Sequence, residues 1–297
     1  MEPLISVIIP TYQRSGKLKI AIQSVLAQTF GNFEVLIMDD GSEDGTKDMV
    51  NSFKDHRIFY NWQKNTGGPA GPRNNGIKIA KGDWIAFLDD DDAWTENKLN
   101  EVSRQINNKN DLIYHDYSKV FADRNSEKEL IKSKYLKNPK IIDLILNGNV
   151  IGVSTVVVRK KLLLKINGFN EDIKMAPCAD YNTWLKIAQL SNNFFYIPKN
   201  LGYYKVDKFN MSNQDMTISK RLALEEFLDL LSNKDKIKLE AKFDYQSASF
   251  NYLKKNYMIA INLYLVALKY GSLFIKLKAL VKLFQAHINK AIDRKLG

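Results

Sequence analysis

The sequence predicts an α/β protein: a mostly parallel, Rossmann-like central sheet with helices on both faces, followed by a C-terminal helical extension. Three observations predict it. Apolar runs of strand length alternate with segments of helical periodicity through the first third of the chain. Each of those runs stops at a loop rich in Gly, Asp or Arg. From residue 218 the alternation ceases, and apolar and basic residues recur at helical spacing to the end. A length of 297 residues with 45% hydrophobic content suits one sizeable domain over 1–217 and a smaller basic helical extension over 218–297.

Taken in order, residues 4–9 are the first apolar strand, halted by Pro10, with Thr11-Tyr12-Gln13-Arg14 as the loop at its C-terminal end. Helical spacing follows over 20–27. The second strand, 33–38, ends in Asp39-Asp40-Gly41-Ser42 and leads to a helix over 44–53. Residues 58–62 form the third, followed by the Gly-rich loop 65–72 and a helix carrying Arg73 and residues 77–80. The fourth, 84–88, runs into Asp89-Asp90-Asp91-Asp92. Right-handed crossovers make such a sheet parallel, and open parallel sheets bind ligands at the carboxyl ends of their strands. All four polar loops therefore meet along one edge.

The pattern then loosens. Residues 112–117 and 153–158 read as strands, 122–138 as a charged excursion, 141–146 as a short helix and 167–172 as a turn. A helix begins at Asp180 and runs to 187; as its N-cap, Asp180 would contribute about 1 kcal/mol to helix stability. Late strands are expected over 194–198 and 201–205, with a polar loop over 207–215. Beyond 218, helices are expected over 246–253 and 258–269. A final amphipathic helix sets Leu273, Leu277, Leu280, Val281, Phe284, Ile288, Ala291 and Ile292 on one face and Lys276, Lys278, Lys282 and Lys290 on the other. Two uses are open to it: packing on the preceding helices, or peripheral attachment through 272–296 to anionic lipid.

Four adjacent Asp repel one another unless they splay into water or gather around a cation and the anion it carries. In the first case Asp92 or Thr95 would cap a helix over 96–107. In the second, a carboxylate cluster without His or Cys partners favours a hard ion, Mg²⁺ or Mn²⁺, which commonly arrives with phosphate. Arg73 can grip phosphate oxygens bidentately, the Gly pair admits a ligand close to the backbone, and Asp40 can accept from a base or ribose. Together these features imply a metal-bound nucleoside diphosphate, although the glycines match neither a Walker nor a dinucleotide fingerprint.

The formal charge of +11 is uneven: from 218 onward there are 15 Lys and Arg against 7 Asp and Glu, a net +8. No helix-turn-helix, zinc-ligand spacing or aromatic RNA-binding strand accompanies it, so nucleic acid is not an expected partner. The single cysteine, Cys178, suits a reducing compartment and reads as a bystander thiol. The chain opens directly on a strand, without a basic leader or cleavage motif, and no apolar run approaches the ~20 residues of a bilayer span. The expected location is the cytoplasm, peripheral to the inner face of the cytoplasmic membrane if the tail meets lipid.

Four ordered motifs, Val7-Ile8-Ile9-Pro10-Thr11-Tyr12, Asp39-Asp40-Gly41-Ser42-Glu43-Asp44-Gly45-Thr46, Asn65-Thr66-Gly67-Gly68-Pro69-Ala70-Gly71-Pro72-Arg73-Asn74-Asn75-Gly76 and Phe87-Leu88-Asp89-Asp90-Asp91-Asp92-Ala93-Trp94, resemble those of the family 2 glycosyltransferases of GT-A fold. The resemblance continues through Gly168-Phe169-Asn170-Glu171 and Ala179-Asp180-Tyr181-Asn182-Thr183-Trp184-Leu185 to about residue 212. It implies that Thr11 and Tyr12 line the base pocket, that Asp40 bonds the base, and that Arg73 contacts the phosphates or base. Asp89, Asp90 and Asp91 match the DXD motif, with Asp89 or Asp90 on ribose or sugar and Asp91 on Mn²⁺ or Mg²⁺. Asp92 keeps a structural role at the next turn. Asp180 matches the catalytic base, although its usual Glu neighbour is Ala179 here. Where the family often carries Tyr-Arg-x-His, this chain has Tyr204-Lys205-Val206-Asp207, so Asp207 either replaces the His as a metal ligand or the role is absent.

The reaction implied is inverting, metal-dependent transfer of a sugar from a nucleotide-sugar donor, a UDP-sugar foremost, to a hydroxyl of a glycan or lipid-linked glycan acceptor in surface-polysaccharide synthesis. A catalytically silent sugar-nucleotide-binding or scaffold subunit is the alternative that Ala179 and Asp207 leave open. A nucleotidyltransferase would place a Gly-rich basic loop after the first strand, where Pro10-Thr11-Tyr12-Gln13-Arg14 stands instead. A haloacid-dehalogenase-like phosphatase would need an Asp-x-Asp-Gly order that Asp39-Asp40-Gly41-Ser42 does not supply.

Overall fold

Every residue of β1 (Ile5–Thr11) and β2 (Phe33–Asp39) is buried, as expected of strands covered on both faces. The computed structural model describes residues 4–121, 127–206 and 215–296, with side chains described through 291. It divides into two units, Met1–Asn210 and Met211–Gly297.

In the first unit, α1 (Ser15–Leu26), α2 (Thr46–Asn51) and α3 (Ala70–Ile79) connect β1, β2, β3 (Ile58–Trp62) and β4 (Trp84–Phe87). β1 pairs in parallel with both β2 and β4, and β2 with β3, giving the order β3-β2-β1-β4. Leu18, Ile22 and Val25 of α1 pack on Val7, Val35 and Ile37, the buried face of a helix whose apolar residues recur every three to four positions. A Cβ on Gly76 would lie 2.8 Å from Cγ2 of Ile8, so glycine lets α3 press directly on β1.

Beyond β4 the sheet becomes mixed. β5 (Ala93–Trp94) and α4 (Lys98–Ser103) precede the long β6 (Leu112–Phe121), which pairs antiparallel with β7 (Lys128–Ile131). After α5 (Lys140–Asn147) and a 3-10 turn over Val153–Thr155, β8 (Val157–Arg159) lies antiparallel between β4 and β6. α6 (Lys160–Lys165), a 3-10 turn over Ala176–Cys178 and α7 (Ala179–Leu190) follow. The two late strands expected from sequence are one, β9 (Phe194–Val206), parallel to β6 with a register shift around Asp116, and antiparallel to β5. The expected strand over 153–158 begins instead with the 3-10 turn, which frees the side chain of Ser154 for the site described below.

The second unit comprises α8 (Thr217–Leu224), a 3-10 helix over Glu225–Leu230, α9 (Asn233–Leu253), α10 (Tyr257–Tyr270) and α11 (Leu273–Leu296). Ser232 caps α9 by accepting from Asp235 N at 3.2 Å. The small residues Ala248, Ala260, Ala267, Ala279 and Ala286, gathered around Tyr264, form the core of α9, α10 and α11. The face of α11 that packs there is Ile275, Ala279, Leu283 and Ala286, not the apolar face expected from the sequence. Leu273, Phe274, Leu277, Leu280, Val281, Phe284 and Ile288 lie on the opposite side, exposed. Alanines rather than leucines make the contact because they let the helix axes approach.

Candidate active site

The order β3-β2-β1-β4 reverses direction at β1: the chain moves outward through β2 and β3, then returns to the far side of β1 as β4. Such a switch point opens a crevice at the strand ends. Here the C-terminal residue of β1, Thr11, meets the loop that follows β4. Its buried hydroxyl donates to Asp90 Oδ2 at 2.8 Å. Arg14 Nη1 donates to Asp90 Oδ1 at 3.2 Å and Asp91 Oδ2 at 3.1 Å, and Lys17 Nζ lies 3.8 Å from Asp91. Burial pushes the Asp90 carboxyl up to about 6, reinforced by Asp91 and Asp89 and opposed by Thr11 and Arg14. Tyr12 stands exposed beside this cluster.

A second cluster centres on α3. Arg73, 5% exposed, donates from Nη2 to Asp89 Oδ1 at 2.5 Å and lies over the Phe169 ring, while its Nε is buried without a hydrogen-bond partner among the described residues. Asp180, in the first turn of α7, accepts from Asn149 Nδ2 at 3.0 Å and from Tyr181 N at 2.7 Å. Cys178, not Asp180, occupies the N-cap position. Burial pushes the Asp180 carboxyl up to about 6; the nearby Arg73 charge pulls it down and that of Asp89 pushes it up, so the three lie within electrostatic reach of one another.

Asn74, next to Arg73, ties this helix to a distant loop. It donates to Phe169 O at 2.9 Å and Glu171 Oε1 at 2.7 Å, and accepts from Phe169 N at 2.7 Å. A Cβ on Gly168, at φ +73, would collide with Asn74 Oδ1, so this loop requires glycine.

At the end of β2, Asp40 accepts from Gln63 Nε2 at 2.7 Å and from both the backbone and hydroxyl of Thr66 at 3.0 to 3.1 Å. Asp39 accepts from Ser42 N at 2.8 Å and Tyr60 Oη at 2.6 Å. These carboxylates hold the start of the Gly-rich loop and the turn after β2.

Asp92 is no helix cap. Buried, it accepts from Ser154 Oγ at 2.6 Å and Lys205 N at 3.3 Å. Neither it nor Thr95 caps α4, because β5 intervenes and the helix starts only after Asn97, whose side chain makes no cap bond. Ser154 also accepts from Asp89 N at 3.1 Å, and its carbonyl accepts from Trp94 Nε1 at 2.8 Å and Lys98 Nζ at 3.1 Å. Lys98 is fully buried, its ammonium 3.3 Å from the centre of the Trp94 ring. Burial pushes Lys98 well below the lysine range against the pull of Asp92, and burial with Asp89 and Asp91 pushes Asp92 well above the carboxylate range. Lys17, Asn149 and Ser154 carry no motif; the one hint at Ser154 is Gly152 two residues ahead in a β-branched run.

Among the described residues no three His, Cys, Asp or Glu side chains gather as a metal cage. Asp207 lies outside the described residues. What is present suits a hard cation that keeps most of its ligands from phosphate: a carboxylate, Asp91, held meanwhile by Arg14 and Lys17. Arg14 and Lys17 also line, with Asp44 and Lys205, an open recess of about 420 Å³.

A family model described as glycosyl transferase family 2 matches residues 6–165. This chain belongs to that family. Among its relatives, the Escherichia coli protein named UDP-Glc:alpha-D-GlcNAc-diphosphoundecaprenol beta-1,3-glucosyltransferase WfgD is 34% identical over 232 residues, covering 77% of this chain and 86% of WfgD. An uncharacterized glycosyltransferase of Rickettsia typhi, RT0329, is 32% identical over 65% of this chain, which spans only 61% of that relative's length. The S. aureus TarS fragment 1–349, solved in complex with UDP-GlcNAc, superposes with a TM-score of 0.65 at 23% identity, covering 93% of this chain and 83% of that fragment. The mannosyltransferase PcManGT from Pyrobaculum calidifontis, solved with GDP-Man and Mn2+, gives a TM-score of 0.60 at 16% identity over 96% of this chain and 81% of that one. The glycosyltransferase thus has the GT-A fold, and its mixed second half of sheet is part of that fold.

Proposed function

We propose that this glycosyltransferase moves a sugar, with inversion, from a UDP-sugar to a hydroxyl of a lipid-linked glycan during surface-polysaccharide synthesis. The observation that carries this reading is the convergence at one switch point of Thr11 with Asp90, Arg14 with Asp91, and Arg73 with Asp89 beside Asp180. The names of WfgD and of the TarS complex support a uridine donor, and that of WfgD supports a diphosphoundecaprenol acceptor.

In this reading Thr11 and exposed Tyr12 line the base pocket, and what remains of the Asp40 carboxylate reaches the base. Arg73 and Arg14 bind the diphosphate, and Asp89 or Asp90 takes a donor hydroxyl. Asp91 would hold Mn²⁺ or Mg²⁺, and Asp207 would either stand in for the family's His as a further ligand or leave that role unfilled. The ion, when bound, supplies positive charge where the departing nucleoside diphosphate becomes negative. Asp180 accepts the acceptor's proton as its oxygen attacks the anomeric carbon from the face opposite the leaving group. Buried Arg73, fixed by Asp89 and Phe169, contributes positive charge that needs no rearrangement during the reaction. An acceptor anchored in a bilayer places the enzyme at a membrane surface.

Substituting Asp180→Asn is expected to lower kcat by roughly 10²- to 10⁴-fold while the dissociation constant for UDP, read by thermal shift, stays within about twofold. Wild-type transfer rates in that variant would exclude Asp180 as the base. Donor binding without turnover on any lipid-linked acceptor, or without Mn²⁺-dependent donor hydrolysis, would leave a silent nucleotide-sugar-binding subunit.

A further inference from the structure

We propose that the outward apolar stripe of α11, with its flanking lysines, docks the enzyme on an anionic lipid surface. This inference supplies the membrane contact that the proposed acceptor calls for, but its support is the helix itself. The residues of the stripe, from Leu273 to Ile288, are each between 44% and 76% exposed. At 100° per residue they occupy an arc of about 120°, and at 1.5 Å per residue they extend about 24 Å. The packing face, Ile275, Ala279 and Ala286, points the opposite way, so the stripe is not a poorly buried margin of the core. Soluble proteins rarely leave so continuous an apolar surface in water.

The charges identify the occupant. Between Leu273 and Lys290 there is no Asp or Glu; of the four lysines there, Lys276 and Lys278 border the stripe, while Lys282, over Tyr252, and Lys290, against Met258, turn toward the helical core. Lys276 flanks one edge of the stripe and Lys278 the other, where their stems can lie along apolar surface while the ammonium groups reach a headgroup layer. Lys278 is exposed and rests over Phe274, 4.2 Å from its ring. A second copy of this helix laid on the stripe would oppose lysine to lysine with no carboxylate to answer them. A sheet of phosphate headgroups over acyl chains answers both the charge and the stripe. No helix of the described residues is long and apolar enough to cross a membrane; the arrangement suits a helix lying in the interface.

The test is flotation of the full chain with vesicles of phosphatidylcholine alone or mixed with phosphatidylglycerol. The chain is expected to float with the anionic vesicles, less so as salt rises, and to remain behind with the neutral ones. Leu277→Glu with Phe284→Glu should reduce anionic-vesicle binding about tenfold or more. Lys276→Gln and Lys278→Gln should reduce it about fivefold each. All of these side chains lie outside the helical core, so circular dichroism and the UDP-induced thermal shift should be unchanged; that second readout separates failure of lipid docking from failure of the donor assignment. Absence of flotation with either vesicle overturns the proposal, as does equal flotation of the Leu277→Glu and Phe284→Glu variant. A wild-type dimer that the same variant converts to monomer, without vesicle binding, would assign the stripe to a second copy instead.

Discussion

Two acidic strand ends flank β1, and they use their charge in different ways. At the end of β2, Asp39 and Asp40 are enclosed by neutral donors: a tyrosine hydroxyl, a threonine, a glutamine amide and backbone N–H groups. At the end of β4, Asp89, Asp90 and Asp91 face Arg73, Arg14 and Lys17. Neutral donors built into turns are permanent partners, because removing the carboxylate would strand them in the interior. Arg14 and Lys17, part-exposed cations, can yield to an incoming metal and diphosphate at little cost, whereas buried Arg73 keeps its place on Asp89. The nature of the donors, more than the density of Asp, separates a carboxylate that shapes a loop from one that does chemistry.

The largest test of that contrast is Asp91→Asn. It should lower metal-stimulated turnover by roughly a thousandfold, while shifting the melting temperature by no more than about 2 °C, since Arg14 and Lys17, which pair with it, are part-exposed and can turn to water. A large stability loss with near-normal activity would place Asp91 with the architectural carboxylates. Next comes Lys98→Leu, which leaves Asp92 without the cation behind it; breaking a buried charge arrangement should cost about 3 kcal/mol in chemical unfolding. Unchanged stability would mean that Lys98 does not support the strand end.

A smaller effect, about 2 kcal/mol of unfolding free energy, is expected for Asp40→Ala, with roughly half of it recovered in Asp40→Asn. Weaker donor binding is expected beside that loss, since Asp40 also reaches the base; weaker donor binding with no loss of stability would remove Asp40 from the carboxylates that shape a loop. The smallest effect is a pH dependence. The Asp180 carboxyl, raised to about 6 in the folded protein, binds its proton more tightly there than in the unfolded chain. Its contribution to stability is therefore fully present below the unfolded value of 3.8 and is lost as pH rises through about 6. Relative to wild type, Asp180→Asn should gain in melting temperature above pH 6 and lose that gain toward pH 4. Wild-type turnover should fall tenfold per pH unit below about 6 as the base becomes protonated. Parallel melting curves at all pH values would contradict the raised carboxyl.

The strand ends were legible because composition changes there abruptly: β-branched and aromatic runs stop at Asp39 and Asp89, whereas β1, expected to halt at Pro10, continues through it to pair Thr11 with Asp39. That placed the Gly-rich loop and both acidic clusters on one edge. The parts that were not legible depend on partners far away in the chain. β5 is two residues long and exists only through its pairing with Tyr203 and Gly202, and the register shift that keeps β9 continuous has no local residue signal. Lys98 reads as a surface lysine, and only the packing of Trp94 and the Ser154 carbonyl makes it an interior one. The exposed stripe of α11 was visible as periodicity, but the sequence did not reveal which of two apolar faces the alanine-rich core would take.

Arg73 and Asn74 are neighbours on α3, and each engages a different wall: Asp89 after β4, and the backbone of the 168–171 loop. Consecutive helical residues project about 100° apart. The helix therefore cannot roll to improve one contact without breaking the other, and Gly76 against Ile8 denies it room to translate. A single-residue insertion or deletion between the Gly-rich loop and Gly76 would put Arg73 and Asn74 out of phase with their walls, or Gly76 out of phase with Ile8, so the length of this stretch is fixed as firmly as those three residues.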